Sequence, residues 1–547
     1  MKRSFTLMAI TALAVMALLT ASCDRDRTLE EASETITAGE LRDYTRILGA
    51  DSMMGRKPFT PGEEITIKYL SGELENLGFK PAFDNSWYQE VPMVEITTAV
   101  DGKALITCGR NRLELAAPDE IAVESPSMSQ YVELEEIPMV FCGFGIVAPE
   151  YGWDDFAGLD VKGKCAVVLV NDPGLYTGDS TLFKGKEMTY YGRWTYKYEE
   201  AARQGAAAIL IIHETVGAGY DYSIPRKSSL SPGLYMEPVK GDKEPCPVTG
   251  WINAEAASKL FGLLGYDVES LRKEACQQGY KGFETDAAIS LRLTNSHTRN
   301  SSMNVAGILH GTTAAEECVI ISAHWDHFGI GEKEKGDSIY NGAVDNGTSM
   351  AWAFEIGEAF ASMKKRPARS VILFFPTAEE QGLLGSTWFA AHPPVEVKNI
   401  IAALNNDLLL PIGRMNDIMV TGYGQSELDD LLAIAAHRQG RYIMPDPHPE
   451  TGMYFRSDHF PFARVGVPAL FARGNCDSRK YGKEWAAEQE RDYLDNRYHK
   501  PADNYYPDMD FDGIEEDARA ILEVAYKIVT SDIRPGWKPG SEFANIR

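Results

Sequence analysis

Two adjacent glutamates, Glu379-Glu380, close the apolar run that begins at Ser370-Val-Ile-Leu-Phe-Phe. The same arrangement recurs twice: a run from Cys318 ends in His324-Trp-Asp326-His327, and one from Ile400 ends in Asn406-Asp407. Asp345 stands in the glycine-flanked stretch Asn341-Gly-Ala-Val-Asp-Asn-Gly347, and His499 in Arg497-Tyr-His-Lys-Pro-Ala-Asp503. A hydrolytic two-metal site needs four or five nitrogen and oxygen ligands, one carboxylate shared between the ions, and a base beside the attacking water. His324, Asp345, Glu380, Asp407 and His499 supply that set, with Asp345 as the shared ligand and Glu379 as the proton acceptor. Asp326, two residues after His324, is placed to hold an imidazole in its metal-binding tautomer. Taken singly, each piece has a plainer reading: a surface glutamate pair, an N-cap aspartate, an exposed histidine. Their joint occurrence at strand ends favours the chemical one.

The elements that must position these groups read as strands alternating with helices. Runs at 304–309, 319–323, 371–375, 401–404 and 467–471 are continuously apolar, and 347–360, 382–391, 427–438 and 513–529 have helical periodicity. Continuous rather than alternating hydrophobicity implies an α/β fold whose mostly parallel mixed sheet is covered by helices on both faces. Ligands bind beyond the carboxyl ends of strands in such sheets, so three chemically armed strand ends imply one site. An amphipathic helix opens at Pro61 and stops at Gly78, with Ile67, Leu70, Leu74 and Leu77 on its apolar face.

Between about 126 and 285 the character changes to short β-like runs separated by glycine, proline and aromatic residues. This reads as a smaller β-rich α/β domain inserted into the main one, which then comprises 41–125 and 286–535. His213 has no partner cluster there and reads as structural.

With 547 residues, two or three domains are expected. The 79 acidic against 54 basic residues (net charge −25) exclude a nucleic-acid binder and favour solubility as the role of the charge. Residues 1–22 have a signal-peptide layout: Lys2-Arg3, an apolar stretch from Phe5 to Leu19, then small residues. Cys23 after them resembles a bacterial lipoprotein processing site; the plainer reading is simple cleavage. Residues 23–40 then form a tether, and the protein is expected at the cell envelope, in contact with membrane only through the lipid anchor. Seven further cysteines, at 108, 142, 165, 246, 276, 318 and 476, show no zinc-ribbon spacing, and a pairing such as Cys246 with Cys276 stays open.

The motifs His324-Trp-Asp-His, Asn341-Gly-Ala-Val-Asp-Asn, Ala378-Glu-Glu-Gln-Gly-Leu-Leu-Gly-Ser386, Asn406-Asp407 and Tyr498-His499 resemble the co-catalytic zinc aminopeptidases of family M28. Met54-Gly-Arg56 and Ser457-Asp-His-Phe-Pro-Phe462 are similar to that family too, and the insert is similar to its protease-associated (PA) domain. The resemblance implies two Zn2+ per chain, one on His324 and Asp407, the other on Glu380 and His499, with Asp345 bridging. It implies Glu379 as general base, Tyr498 as an oxyanion donor, and removal of N-terminal residues from peptide substrates. Ser457 and Asp458 either line the substrate pocket or brace it. Arg473 either meets an acidic side chain or a carboxylate of the substrate, or pairs with a carboxylate of the chain. The charged, aromatic segment 474–497 reads as a loop over the cleft. Two alternatives stand beside this one: a single-zinc glutaminyl-cyclase-like enzyme, and a binding module on an inactive peptidase scaffold.

Overall fold

The computed structural model describes residues 28–239 and 243–546, so the signal-peptide segment and Cys23 lie outside the described residues. The described residues divide into two compact units, one of 28–91, 302–446 and 457–546, the other drawn from 92–301 and 447–456. The boundaries therefore fall near 92 and 301 rather than 126 and 285. The chain passes between the units inside two long strands, Tyr88–Val100 and Phe283–Leu309. The sequence of the latter gives no break where its burial changes from alternating to continuous.

In the first unit a mixed sheet runs in the order Lys80–Pro81, the end of Phe283–Leu309, Arg369–Phe375, Ala314–Ser322, Ile400–Asn405, Ala469–Arg473, Asp417–Thr421, Tyr442–Pro445. The four central strands from Arg369–Phe375 to Ala469–Arg473 are parallel. Every residue of Arg369–Phe375 and Ile400–Asn405 is buried, as strands covered on both faces require. On one face Ile320, Ile372, Phe374 and Ala403 pack against Phe389 of the helix Leu384–Ala391 and Phe462 of the helix His459–Arg464. Phe374 and Phe389 lie ring to ring at 4.1 Å. Residues one step along point the other way: Phe375 meets Phe354 of the helix Ser349–Ser362 at 4.9 Å. Asp512–Val529 packs beside that helix.

The helix Pro61–Asn76 starts as the sequence implies, with proline in its first turn and the Thr60 hydroxyl accepting from the Gly62 amide at 3.2 Å. Leu70 and Leu74 are fully buried. Two expectations are corrected and one pair of strands is added. Residues 28–40 are not a free tether: 28–33 are helical, Ala38–Leu48 follows as a helix, and Ala32 and Ile36 are buried. The segment 474–497 is not simply a loop, because Lys483–Asn496 is a helix whose charge on all sides hides its period. The strands Asp417–Thr421 and Tyr442–Pro445 were not anticipated, being too short to stand out.

The second unit has its own sheet, with Cys165–Leu169, Ala208–Ile212 and Val248–Ile252 parallel and Ile121–Glu124 antiparallel at its edge. It carries separate apolar cores, one including Phe141, Val167, Leu210 and Phe261. His213 is packed there, its ring 5.4 Å from Tyr222 and 5.7 Å from Trp251. All seven described cysteines are free thiols, Cys246 and Cys276 among them.

Candidate metal centre

The three armed strand ends converge at the carboxyl edge of the parallel sheet. His324 follows Ala314–Ser322, the glutamates follow Arg369–Phe375, and Asp407 follows Ile400–Asn405. His324 Nε2 lies 3.4 Å from Asp407 Oδ1 and 3.3 Å from Asp345 Oδ1. His499 Nε2 lies 3.1 Å from Glu380 Oε2 and 3.3 Å from Asp345 Oδ2. The two oxygens of Asp345 thus face different histidines, which is the geometry of a shared ligand. Glu379 sits on the first side, Oε2 3.9 Å from His324 Nε2. All five expected ligands and the expected base are therefore brought together.

Asp345 owes its place to a turn that resists simpler folding. Residues Ala343–Thr348 form a single π-type turn in which Asp345 and Asn346 leave helical geometry, and the peptide between them is cis. Gly342 has φ +57°, and a Cβ there would collide with the Asp345 carbonyl and the Arg56 guanidinium. Positive φ also occurs at Ala378, Leu408 and His499, beside or on the glutamates, Asp407 and the second histidine. Non-glycine residues hold such conformations only where surroundings impose them, at roughly 1–3 kcal/mol each, and they gather at functional sites.

Asp326 acts differently from the expectation. Its carboxylate accepts from the backbone amides of Glu379 at 3.0 Å and Glu380 at 3.4 Å, so it fixes the loop bearing both glutamates. The His324 imidazole donates from Nδ1 to the Asp326 carbonyl at 3.1 Å, while the carboxylate lies 3.8 Å away. That bond selects the tautomer that leaves Nε2 free for a metal.

Three residues of the site carried no assigned role in the sequence reading. His327 donates from Nδ1 to Glu380 Oε1 at 2.6 Å, and its buried Nε2 has no partner. Its ligand atom gathers with those of Asp345 and Glu380, as that of Glu379 gathers with His324 and Asp407. The spacing of His324 and His327 was the available signal. Arg56, fully buried, spends its guanidinium on the carbonyls of Trp325, Leu48, Asn341, Gly342 and Asp345. Asp503 accepts from the amides of Val344 at 3.1 Å and Asp345 at 3.0 Å and from the Tyr493 hydroxyl at 3.1 Å.

Of the remaining expected residues, Tyr498 stacks its ring on His499 at 3.7 Å. Ser457 and Asp458 are fully buried and brace the site: the Ser457 hydroxyl accepts from Asn405 at 2.8 Å, and Asp458 accepts from the Ser386 hydroxyl at 2.5 Å. Arg473 is buried too, donates to the main-chain oxygen of Asp407 at 3.1 Å, and makes no ion pair among the described residues. The pairing expected with a carboxylate of the chain is thus not formed among the described residues.

The electrostatics follow from burying this many carboxyl groups together. Burial works against the charge of His324, but Glu379 and Asp407 overcome it and raise the imidazole well above its ordinary range. His499 is raised in the same way by Glu380 and Asp345, to about 10. Burial first, then Asp407, Glu380 and Asp458, push Glu379 well above a usual carboxylate. The donor set is imidazole and carboxylate only, without thiolate, and fits zinc in an N/O-ligated catalytic site.

Residues 304–525 match the model of peptidase family M28. Carboxypeptidase Q of Xenopus laevis is 24% identical over 256 residues, covering 46% of this chain and 44% of that protein, so the chain spans less than half of this relative. Among solved structures, an aminopeptidase from Aneurinibacillus sp. strain AM-1 is 17% identical with a TM-score of 0.46, covering 95% of this chain and 98% of that one. A zinc aminopeptidase from Bacillus subtilis is 16% identical with a TM-score of 0.43 over 93% and 98% of the two chains. The segment similar to peptidase family M28, residues 304–525, is the one that holds every expected metal ligand.

Proposed function

We propose that the protein is an exopeptidase with two zinc ions, removing residues from the N-termini of peptides. The observation that carries this reading is Asp345, whose two carboxylate oxygens lie 3.3 Å from His324 and 3.3 Å from His499. His324 and Asp407 would hold one ion, Glu380 and His499 the other, with Asp345 shared. Zinc bound there supplies Lewis acidity, polarising the scissile carbonyl and making a water easier to deprotonate. Glu379 takes the proton from the attacking water and returns it to the leaving amine. Its raised affinity for a proton suits a group that must both accept and give one up near neutrality. Asp326 keeps Glu379 and Glu380 in register through their amides. Tyr498, whose ring stacks on His499, would donate its hydroxyl proton to the developing oxyanion.

The N-terminal Lys2-Arg3, the apolar stretch and Cys23 support export with a lipid anchor. The inserted unit is read as a PA-type domain on the sequence resemblance. Hydrolysis of aminoacyl chromogenic substrates, abolished by a chelator and restored by zinc, tests the activity. Metal analysis separates the readings: close to two ions per chain supports hydrolysis, close to one favours a cyclase-like site. No turnover in fully metallated protein with any N-terminal residue would overturn the aminopeptidase assignment.

A further inference from the structure

The inserted unit contains a cavity of about 220 Å³ walled entirely by its own residues. Four aromatic rings make its apolar lining. Trp194 and Tyr198 meet edge to face at 5.3 Å across one turn of the helix Trp194–Gln204. Tyr220 and Trp251 meet at 6.1 Å on another wall. Two cations share the space with these rings, Arg193 at the start of that helix and Arg456 from the excursion 447–456.

Neither arginine makes an ion pair among the described residues, and the buried Nε of Arg193 has no hydrogen-bond partner. The second point is unusual, because a buried guanidinium nitrogen without an acceptor costs about 1–3 kcal/mol. Burial, then the neighbouring Arg456, hold the Arg193 guanidinium down to about 10. The only carboxylate in the walls, Glu124, is not their counter-ion. It bonds the Tyr235 hydroxyl, and burial raises its proton affinity without relief from either arginine. The cavity therefore has uncompensated positive charge among aromatic walls.

The complement of such a space is a small monoanion with an apolar body. A planar guanidinium fork matches a carboxylate, and Glu124 in the wall disfavours a doubly charged anion. The volume lies below the roughly 300–1,000 Å³ of drug-sized pockets, which suits a ligand of about one amino-acid residue. We propose that the inserted unit binds the carboxylate of a single apolar or aromatic amino-acid residue, free or at a peptide C-terminus. Arg193 and Arg456 receive the carboxylate, and the side chain lies among Trp194, Tyr198, Tyr220 and Trp251. This site uses none of the residues of the metal centre and does not rest on the activity assigned to it.

The test titrates the full metallated chain with N-acetyl-L-phenylalanine, followed by tryptophan fluorescence and calorimetry. Binding is expected in the wild type and in Glu379→Gln. It should weaken roughly 10- to 100-fold in Arg193→Met and in Arg456→Ala, the factor for losing a charged hydrogen bond. N-acetyl-L-phenylalaninamide, lacking the carboxylate, and inorganic phosphate should bind at least 10-fold more weakly than the acid. Arg456 is exposed, so Arg456→Ala keeps the test intact if Arg193→Met misfolds. No binding to the wild type, equal affinity in Arg456→Ala, or equal affinity for the amide would each overturn the proposal. Chromogenic hydrolysis by Arg456→Ala at the wild-type rate would show that the metal centre was not what the substitution changed.

Discussion

Replacing Arg56 with methionine should dismantle the metal centre without touching a ligand. The guanidinium has five N–H groups, and each is spent on a main-chain oxygen. Nε donates to Trp325 at 2.9 Å, Nη1 to Leu48 and Asn341 at 2.6 Å each, and Nη2 to Gly342 at 2.8 Å and Asp345 at 3.3 Å. Four of those oxygens belong to the segments that carry His324 and Asp345, and the fifth ends the helix Ala38–Leu48. Asp345, Asp503, Asp326 and Glu380 each favour the charge of Arg56 against the desolvation that pulls it down to about 10. A single hydrogen bond to a charged group is worth about 1.5–3 kcal/mol, and bonds sharing one group do not add. Methionine fills much of the volume but takes a donor from five carbonyls, of which Gly342 keeps the Gly347 amide at 3.2 Å, and removes the positive charge. A loss of about 4–5 kcal/mol follows, at the top of the range for one substitution and a large share of a typical 5–15 kcal/mol. Urea denaturation of the zinc-loaded protein, with zinc measured after dialysis, reads both effects: an earlier first transition and lost metal. Arg56→Lys should fall between, since lysine keeps the charge without the fork. A shift of under about 1 kcal/mol with both ions retained would refute the claim that this arginine builds the site.

Glu379→Gln should bind zinc as the wild type does and lose at least about 100-fold in turnover, because proton transfer by a placed side chain is worth about 10²–10⁴; unchanged turnover would remove the base assignment. Asp503→Ala strips the acceptor from the Val344 and Asp345 amides. Zinc affinity should fall about 10- to 100-fold, the usual scale for losing a group that orients a ligand, as read by competition with a chromogenic chelator. Glu355 gives a pH test away from the metal. It accepts from the Thr37 amide at 2.8 Å, and burial, then Glu40 and Glu358, raise its carboxyl from 4.5 to about 8. Between those values the folded chain holds a proton that the unfolded chain has released, so stability falls as pH rises, by up to about 1.4 kcal/mol per unit. Glu355→Gln should therefore stabilise the protein at pH 8–9 relative to wild type and change little at pH 4–5; equal effects at both ends would contradict it.

How far the sequence reaches can be traced residue by residue. His324, Glu379, Glu380 and Asp407 were legible because each ends an apolar run, and an apolar run long enough to be a buried strand fixes where its last residue points. Asp345 and His499 were legible only through their company, since nothing local forces a residue after a glycine turn to face a strand end. Arg56 was quoted for resemblance alone. Its function is to bond carbonyls from 8 to 289 residues away, and main-chain oxygens leave no trace in side-chain pattern. The unit boundaries were misplaced for a related reason: Phe283–Leu309 continues as one strand while its burial pattern changes. Arg473 was read for its charge alone, and one of its N–H groups bonds the carbonyl of Asp407, a contact that side-chain pattern does not announce.

The carboxyl groups themselves sort into two kinds, and the sorting explains why so many can be buried in one place. Desolvation is the largest influence on all of them and acts against their charge. For Asp345 and Glu380 the facing histidines more than reverse it, so Asp345 is held well below the ordinary range and Glu380 near 2. Asp326, Glu379 and Asp458 do not escape: burial and neighbouring carboxylates raise Asp326 and Asp458 to about 7 and hold Glu379 well above the ordinary carboxylate range. The ionised pair are both proposed ligands, Asp345 between the two ions and Glu380 on one of them, and the raised Glu379 beside them is the one assigned to carry the proton. Two carboxylates with opposed tendencies, adjacent in sequence at 379 and 380, are thereby given different work by their surroundings alone. Glu380 has His499 and His327 against Asp345, whereas Glu379 has His324 against Asp407, Glu380 and Asp458, and that balance divides the labour of a pair that the sequence writes as identical.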